Sequence, residues 1–360
     1  MRRMIGLTLF AVGVMAGCQN DDFASATPEA SALQMEFTGD TAAEGLTAAS
    51  ADWGASEQAL SGSVPEYLGH TRDAIRALNT AVAAVLTPIA EAIAKAGPKE
   101  SVGDVRTWGP HDHGSATYLF TMKKLADKSF GWVLQAKPQG AADASYATVM
   151  GGLFAAGDLP HRGRGAMGVD LDKLALVDAS FHGNGQMLVG FAHVSGYKVL
   201  AYGLKNFSPD VSTYDPVDAV FSGWRGPDGG ARARLAVYAN IADSATDAKE
   251  LVLLRARWLP GVGGRADGLV TAGDVPAGHV LVANSCWSRD LTDVDGFYAI
   301  RDCSVGAVGP MCPVIKTAGK LSNCGRGLDA EDLPPATPTD PTQEPGAPVE
   351  PAIPTSMPSM

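Results

Sequence analysis

The pattern that most constrains this chain is a change of period. From Val105 onward, apolar residues recur at every second position. In "FGWVLQAK" Phe130, Trp132 and Leu134 share one face, with Gln135 and Lys137 on the other. In "ARARLAVYANI" Ala231, Ala233, Leu235, Val237, Ala239 and Ile241 stand opposite Arg232, Arg234 and Asn240. Such alternation belongs to strands with one buried and one wet face. The same reading fits "SATYLFTMKKL", "SYATVMGGLF", "QMLVGFAHV", "YKVLAYGLKNF", "VDAVFSGW", "ELVLLRARW", "HVLVANSCW" and "GFYAIRDC". Ser195-Gly196, "RGPDGG" and "DVDG" are hairpin connections between them. About ten strands joined by successive hairpins exclude a parallel α/β sheet, which needs long crossovers. No repeat of fixed period runs through the sequence, which argues against a propeller or solenoid.

Ahead of the strands the period is helical. Ser63 and Glu66 have capping-box spacing, and Leu68, Ile75, Leu78, Val82, Val85, Ile89 and Ile93 form one apolar stripe. Pro88 interrupts the stripe and Gly97-Pro98 ends it. These features predict a long helix from Pro65 to Ala96, and with it an α+β class: a long N-terminal helix packed on a large meandering antiparallel sheet. A helix about 10 Å across cannot cover about ten strands spaced about 4.8 Å apart. The sheet must therefore curve round it as a half-barrel, or close on itself as a sandwich or barrel. The half-barrel resembles the periplasmic lipoprotein carriers and their outer-membrane receptors in architecture, which implies an apolar ligand; the closed forms imply a packed scaffold.

The first residues carry a separate message. Met1-Arg2-Arg3 precedes an apolar run from Met4 to Gly17. That run is shorter than the roughly 20 residues a spanning helix needs, and its order of charge, apolar stretch and small residues is that of a secretory signal. Met15-Ala16-Gly17-Cys18 resembles the lipobox of bacterial lipoproteins, although the family prefers Leu where Met15 stands. The resemblance implies removal of residues 1–17, acylation of Cys18 and attachment to a membrane. Gln19, in place of an inner-membrane retention Asp, implies the outer membrane.

Charge divides the remainder. The net charge is −11, yet between Gln19 and Ser63 there are eight acids and no Lys or Arg, and between Leu328 and Met360 six acids and again neither base. What lies between is nearly neutral, and its bases are interspersed with acids, so the basic stripe of a nucleic-acid binder is missing from the sequence. Residues 18–62, with few large apolar side chains, read as a lipidated, acidic, disordered tether. Residues 328–360 read as a proline-rich disordered tail. The single folded domain is expected at 63–327, its C-terminal part disulfide-bonded.

Candidate chemistry is sparse. His111 and His113 in "WGPHDHGS" point the same way in a strand and could open a metal site with His161, His182 or His193, but their spacing shows no convergence. "GRGAMG", Gly163 to Gly168, matches a dinucleotide fingerprint without the strand–helix context it requires, and reads as a glycine-rich loop. Asp293, Asp295, Gly296 and Asp302 have calcium-loop offsets, but Leu291 occupies the first ligand position. Asp170 and Asp172 fit a solvated strand face, and no Gly-x-Ser-x-Gly elbow occurs.

Cys286, Cys303, Cys312 and Cys324, lacking any Cys-x-x-Cys pair, read as disulfides in an exported chain with three possible connectivities. Of these, Cys286–Cys303 is favoured by its placement around "DVDG", which leaves Cys312–Cys324. The expectation is a lipid-anchored envelope protein without cofactor or catalytic residues, acting as a scaffold or partner-binding module. The alternatives are an apolar-ligand carrier and a metal-dependent hydrolase centred on His111 and His113.

Overall fold

A computed structural model describes Phe23, Asn79 and residues 100–126, 128–157, 162–212, 215–239, 248–259, 261–287, 297–304 and 312–319. The described strands form one antiparallel sheet. They are β1 (Glu100–Val102), β2 (Val105–His113), β3 (Ala116–Ala126), β4 (Ser129–Pro138), β5 (Ala147–Ala156), β6 (Gly163–Asp170), β7 (Asn184–Val194) and β8 (Tyr197–Ser208). They continue as β9 (Val217–Arg225), β10 (Ala231–Ala239), β11 (Glu250–Leu259), β12 (Gly263–Ala272), β13 (His279–Trp287), β14 (Phe297–Ser304) and β15 (Val314–Gly319). Spatial order equals chain order from β1 to β15, so each strand pairs with its sequence neighbours.

The α+β expectation is thereby corrected. The described residues hold one complete short helix, α1 (Leu171–Val177), one 3-10 turn, Asp143–Ser145, and single helical residues at Phe23 and Asn79; the rest of their regular structure is strand. Apart from Asn79, which is helical, the expected helix from Pro65 to Ala96 lies outside the described residues. So do the "DVDG" turn, Cys18, all of the tether except Phe23, and the tail. Phe23 is buried, its ring edge-on to Phe130 at 5.3 Å and beneath the Arg106 guanidinium.

Period two places one face of every long strand in a common core. Trp108, Phe120, Trp132, Phe154, Phe191, Tyr202, Phe221, Trp258 and Trp287 all belong to one buried cluster. The hairpins follow the turn chemistry read from sequence. Ser195 and Gly196 both take positive φ, as a two-residue turn between β7 and β8 requires. Between β9 and β10, Gly226 N–H donates to Gly230 O, and Asp228 accepts from Gly230 N.

"GRGAMG" is a strand, not a loop. In β6, Gly165 lies directly opposite Phe154 on one side and Phe191 on the other. The two rings stack with centroids 5.9 Å apart, and a Cβ on Gly165 would come within 2.5 Å of Leu153 O and 2.9 Å of the Phe191 ring. The glycine is there because neighbouring aromatics occupy the volume above it. Strand β12 repeats the device: Gly264 pairs with Trp258 and Trp287, and a Cβ there would collide with the Trp287 indole. Gly168, on the opposite face of β6, has nothing within 4 Å of its Cβ position.

Gly165→Ala is therefore expected to lower the unfolding free energy by about 2 kcal/mol, in the range for overpacking a core. Gly168→Ala is expected to change it by less than about 0.5 kcal/mol. Denaturant unfolding of both variants checks the difference, and equal losses would contradict the packing argument.

Candidate functional site

Of the histidines flagged by sequence, His111 and His113 lie on β2, His193 lies on β7, His182 precedes β7, and His161 is outside the described residues. His111 is opposite Tyr118 and half-buried; His113 is opposite Ala116 and exposed, its ring 6.3 Å from that of Tyr118. Among the described residues no three His, Cys, Asp or Glu side chains converge as a metal site. Asp302, from the calcium-like motif, lies in β14 with a carboxylate oxygen 2.8 Å from His279 Nδ1. Asp170 and Asp172 do not form a strand face: Asp170 ends β6 and Asp172 lies in α1. Asp170 caps α1 by accepting from Lys173 N, and Asp172 accepts from Gly185 N.

The C-terminal end of α1 carries a denser polar cluster. Asp178, almost fully buried, accepts from Tyr118 Oη at 2.8 Å, from Ser115 N and Oγ, and from Ser180 N and Oγ. Burial pushes its pKa up, but the bonds from Ser180, Tyr118 and Ser115 outweigh that and hold it down to about 2. Burial, and then the Asp178 bond, push the Tyr118 hydroxyl well above its ordinary value. A carboxylate holding five hydrogen bonds, four on Oδ1 and the Tyr118 hydroxyl on Oδ2, is a clamp between α1 and the β2–β3 hairpin.

Sequence reading passed over the main electrostatic feature. On the face of β10–β12 turned away from the aromatic core, register lines up Arg232, Arg257 and Arg265 in one row. The next row holds Arg234, Arg255 and Asp267. Directly opposed residues have Cβ atoms about 5 Å apart, where like charges repel. Asp267, 3% exposed, accepts from Arg265 Nε and Nη2 at 2.9–3.0 Å and from Asn284 Nδ2 at 2.7 Å. Arg301 Nη1 donates to Asn284 Oδ1 in turn. At the other end Arg232 lies 5.8 Å above the Trp224 ring. Five guanidiniums and one carboxylate on the back face of three adjacent strands make a surface suited to carboxylates or phosphates. The signal was present in "ARAR", "LRAR" and "GRAD", each with arginine at alternate or single back-face positions. Only the register brings them together.

The cysteines complete this region. Cys303 bonds to Cys312, with Cα atoms 5.0 Å apart, which corrects the pairing of Cys286 with Cys303 and of Cys312 with Cys324. Cys303 and Cys312 are brought together by β14 and β15, which pair antiparallel across their hairpin. Cys286 is also disulfide-bonded. Its partner therefore lies outside the described residues, where Cys18 and Cys324 are the cysteines of the chain. On β13, Cys286 stands opposite Arg265, on the same face.

Because the carboxyl of Asp178 titrates lower folded than unfolded, its contribution to stability is complete above about pH 4 and is lost as pH falls toward about 2. Asp178→Asn is expected to cost on the order of 3 kcal/mol at neutral pH, with the gap to the native protein closing across that acid window. Denaturant midpoints taken as a function of pH check this; a gap unchanged down to about pH 2 would remove the clamp. No protein-family model matches the chain, and neither the comparison with curated proteins nor that with solved structures found a match.

Proposed function

We propose that the chain is a lipid-anchored, non-catalytic protein of a bacterial envelope, held to the outer membrane through Cys18, whose sheet is a scaffold for a carboxylate-bearing partner segment. The observation that carries this reading is the pair of arginine rows on β10–β12. Guanidiniums in register present paired donors at the strand spacing, a geometry for successive carboxylates along an extended chain. The burial of Trp132 and Phe191 inside the aromatic cluster supports a packed scaffold over an apolar-ligand carrier. Anchoring rests on the lipobox resemblance at Met15-Ala16-Gly17-Cys18.

Mass spectrometry of the mature protein is expected to find Cys18 acylated at the new N-terminus, and Cys18→Ser is expected to leave the membrane fraction. An unmodified Cys18 overturns the anchor. For the binding face, Arg232→Gln combined with Arg257→Gln is expected to weaken retention of polyglutamate about ten-fold at low salt, the sum of one exposed and one half-buried charge pair. Retention by the native protein should itself fall as salt is raised to about 0.5 M. Retention that ignores both changes rejects the face.

A further inference from the structure

Among the described tryptophans, one stands outside the aromatic core. Trp108, Trp132, Trp258 and Trp287 belong to the buried cluster, whereas Trp224, on the back face of β9, is only half-buried. Its ring centroid lies 5.7 Å from that of Tyr197, the first residue of β8, with the planes 37° apart. Tyr197 is 42% exposed. We propose that these two rings are the floor of a saccharide-binding site, which takes the flat C–H face of an uncharged pyranose and holds its hydroxyls through Asp228 and Arg232.

Two hairpins at one end of the sheet assemble this site. Register sets Val199, Trp224 and Arg232 in one row across β8, β9 and β10. Tyr197 follows the Ser195-Gly196 turn directly. In the β9–β10 loop, the bond from Gly226 N–H to Gly230 O closes the turn, and Asp228 accepts from Gly230 N at 3.0 Å. Gly226 is the gap that the site is built around. A Cβ there would come within 2.7 Å of Asp228 Oδ1, 3.5 Å of the Trp224 ring and 3.6 Å of the Tyr197 ring. One carboxylate and two rings therefore converge over a residue that has no side chain. Pro227 also packs against Gly196, its Cβ 3.1 Å from where a Cβ would stand, so each turn braces the other. Rings carried on strands and an acid bonded into its own turn are in place before a ligand arrives, which lowers the ordering cost of binding.

Charge selects the occupant. The Arg232 guanidinium lies over the Trp224 ring, 5.8 Å from its centroid, and Asp228 lies over Gly226, so the platform carries one charge of each sign. A cationic ligand meets Arg232, an anionic one meets Asp228, and a purely apolar one strips water from both without replacing its hydrogen bonds. An uncharged polyol with an apolar face satisfies all four groups. Its C–H groups rest on the electron-rich ring faces. Its hydroxyls donate to Asp228, and its oxygens accept from Arg232. The back-face neighbours of the rings on β8 and β9 are Val199, Ala201 and Ser222, all short, which leaves room for a chain of such rings to continue past the platform. Of the arginine rows this site uses Arg232 alone, and it stands whether or not the rows bind carboxylates.

The test uses the full mature chain with Trp53, which lies outside the described residues, replaced by Phe, so that Trp224 dominates acrylamide quenching of tryptophan fluorescence. Cellohexaose, maltohexaose and chitohexaose at millimolar concentration are the probes. At least one is expected to lower the quenching constant about two-fold and to give a calorimetric binding isotherm. Tyr197→Ala and Asp228→Asn are each expected to weaken that binding about five- to ten-fold. The denaturant midpoint of Asp228→Asn is expected to stay at the native value, because the amide oxygen still accepts from Gly230 N. Failure of all three hexasaccharides to shield Trp224 overturns the proposal, and so does binding that survives both substitutions. Shielding by tetramethylammonium alone, or by phosphatidylglycerol vesicles alone, also overturns it: the rings are then a cation cage or a membrane-seated patch.

Discussion

Two aromatic rings can meet across an intervening strand only where the residue between them has no side chain. In this sheet that condition is satisfied at Gly165, between Phe154 and Phe191, and at Gly264, between Trp258 and Trp287. Rings of this size bury about 150–250 Å² each, so one glycine per pair lets neighbouring strands concentrate apolar contact above an otherwise thin core. The cost is backbone freedom in the unfolded chain. The return is a continuous aromatic floor along the meander, on which the other side of the sheet is free to carry charge.

That division of labour explains what could be read from the residues and what could not. The period-two pattern and turn signals disclosed an antiparallel meander because both are local: the φ of Ser195 and Gly196 is written in their own chemistry. Strands β6 and β12 were obscured because their glycines answer to Phe191 and Trp287, residues on other strands. Propensity counts a glycine against a strand; packing required it there. The helical period from Pro65 to Ala96 draws the class toward α+β, whereas strands dominate the described residues.

The site residues divide along the same line. Asp170 and Asp172 looked like alternate positions of a strand, yet Asp170 is the last residue of β6 and caps the helix that follows it, a boundary that two acids alone do not mark. Symmetry about a turn suggested Cys286–Cys303, but the hairpin of β14 and β15 brings Cys303 to Cys312 instead. The arginines were visible singly and meaningless singly. Their alignment is a property of three registers at once, and register is set by which face must be buried rather than by the arginines themselves.

A sheet whose spatial order equals its chain order also has a history built into it. Each strand finds its partner immediately upstream, so sequence separation between paired residues stays small and loop closure costs little. A chain emerging from its N-terminus can add strands one at a time to an edge already waiting, like links joining a growing ladder. During that growth the newest strand is always an open edge, a template for any other extended chain nearby. The three-residue β1 makes the first edge short. The last is finished by β15, whose register breaks between Ile300 and Arg301 and whose hairpin is locked by Cys303–Cys312. That bond ties the entry of β15 to β14, so among the described strands the last one in the ladder is held covalently as well as by its backbone pairs.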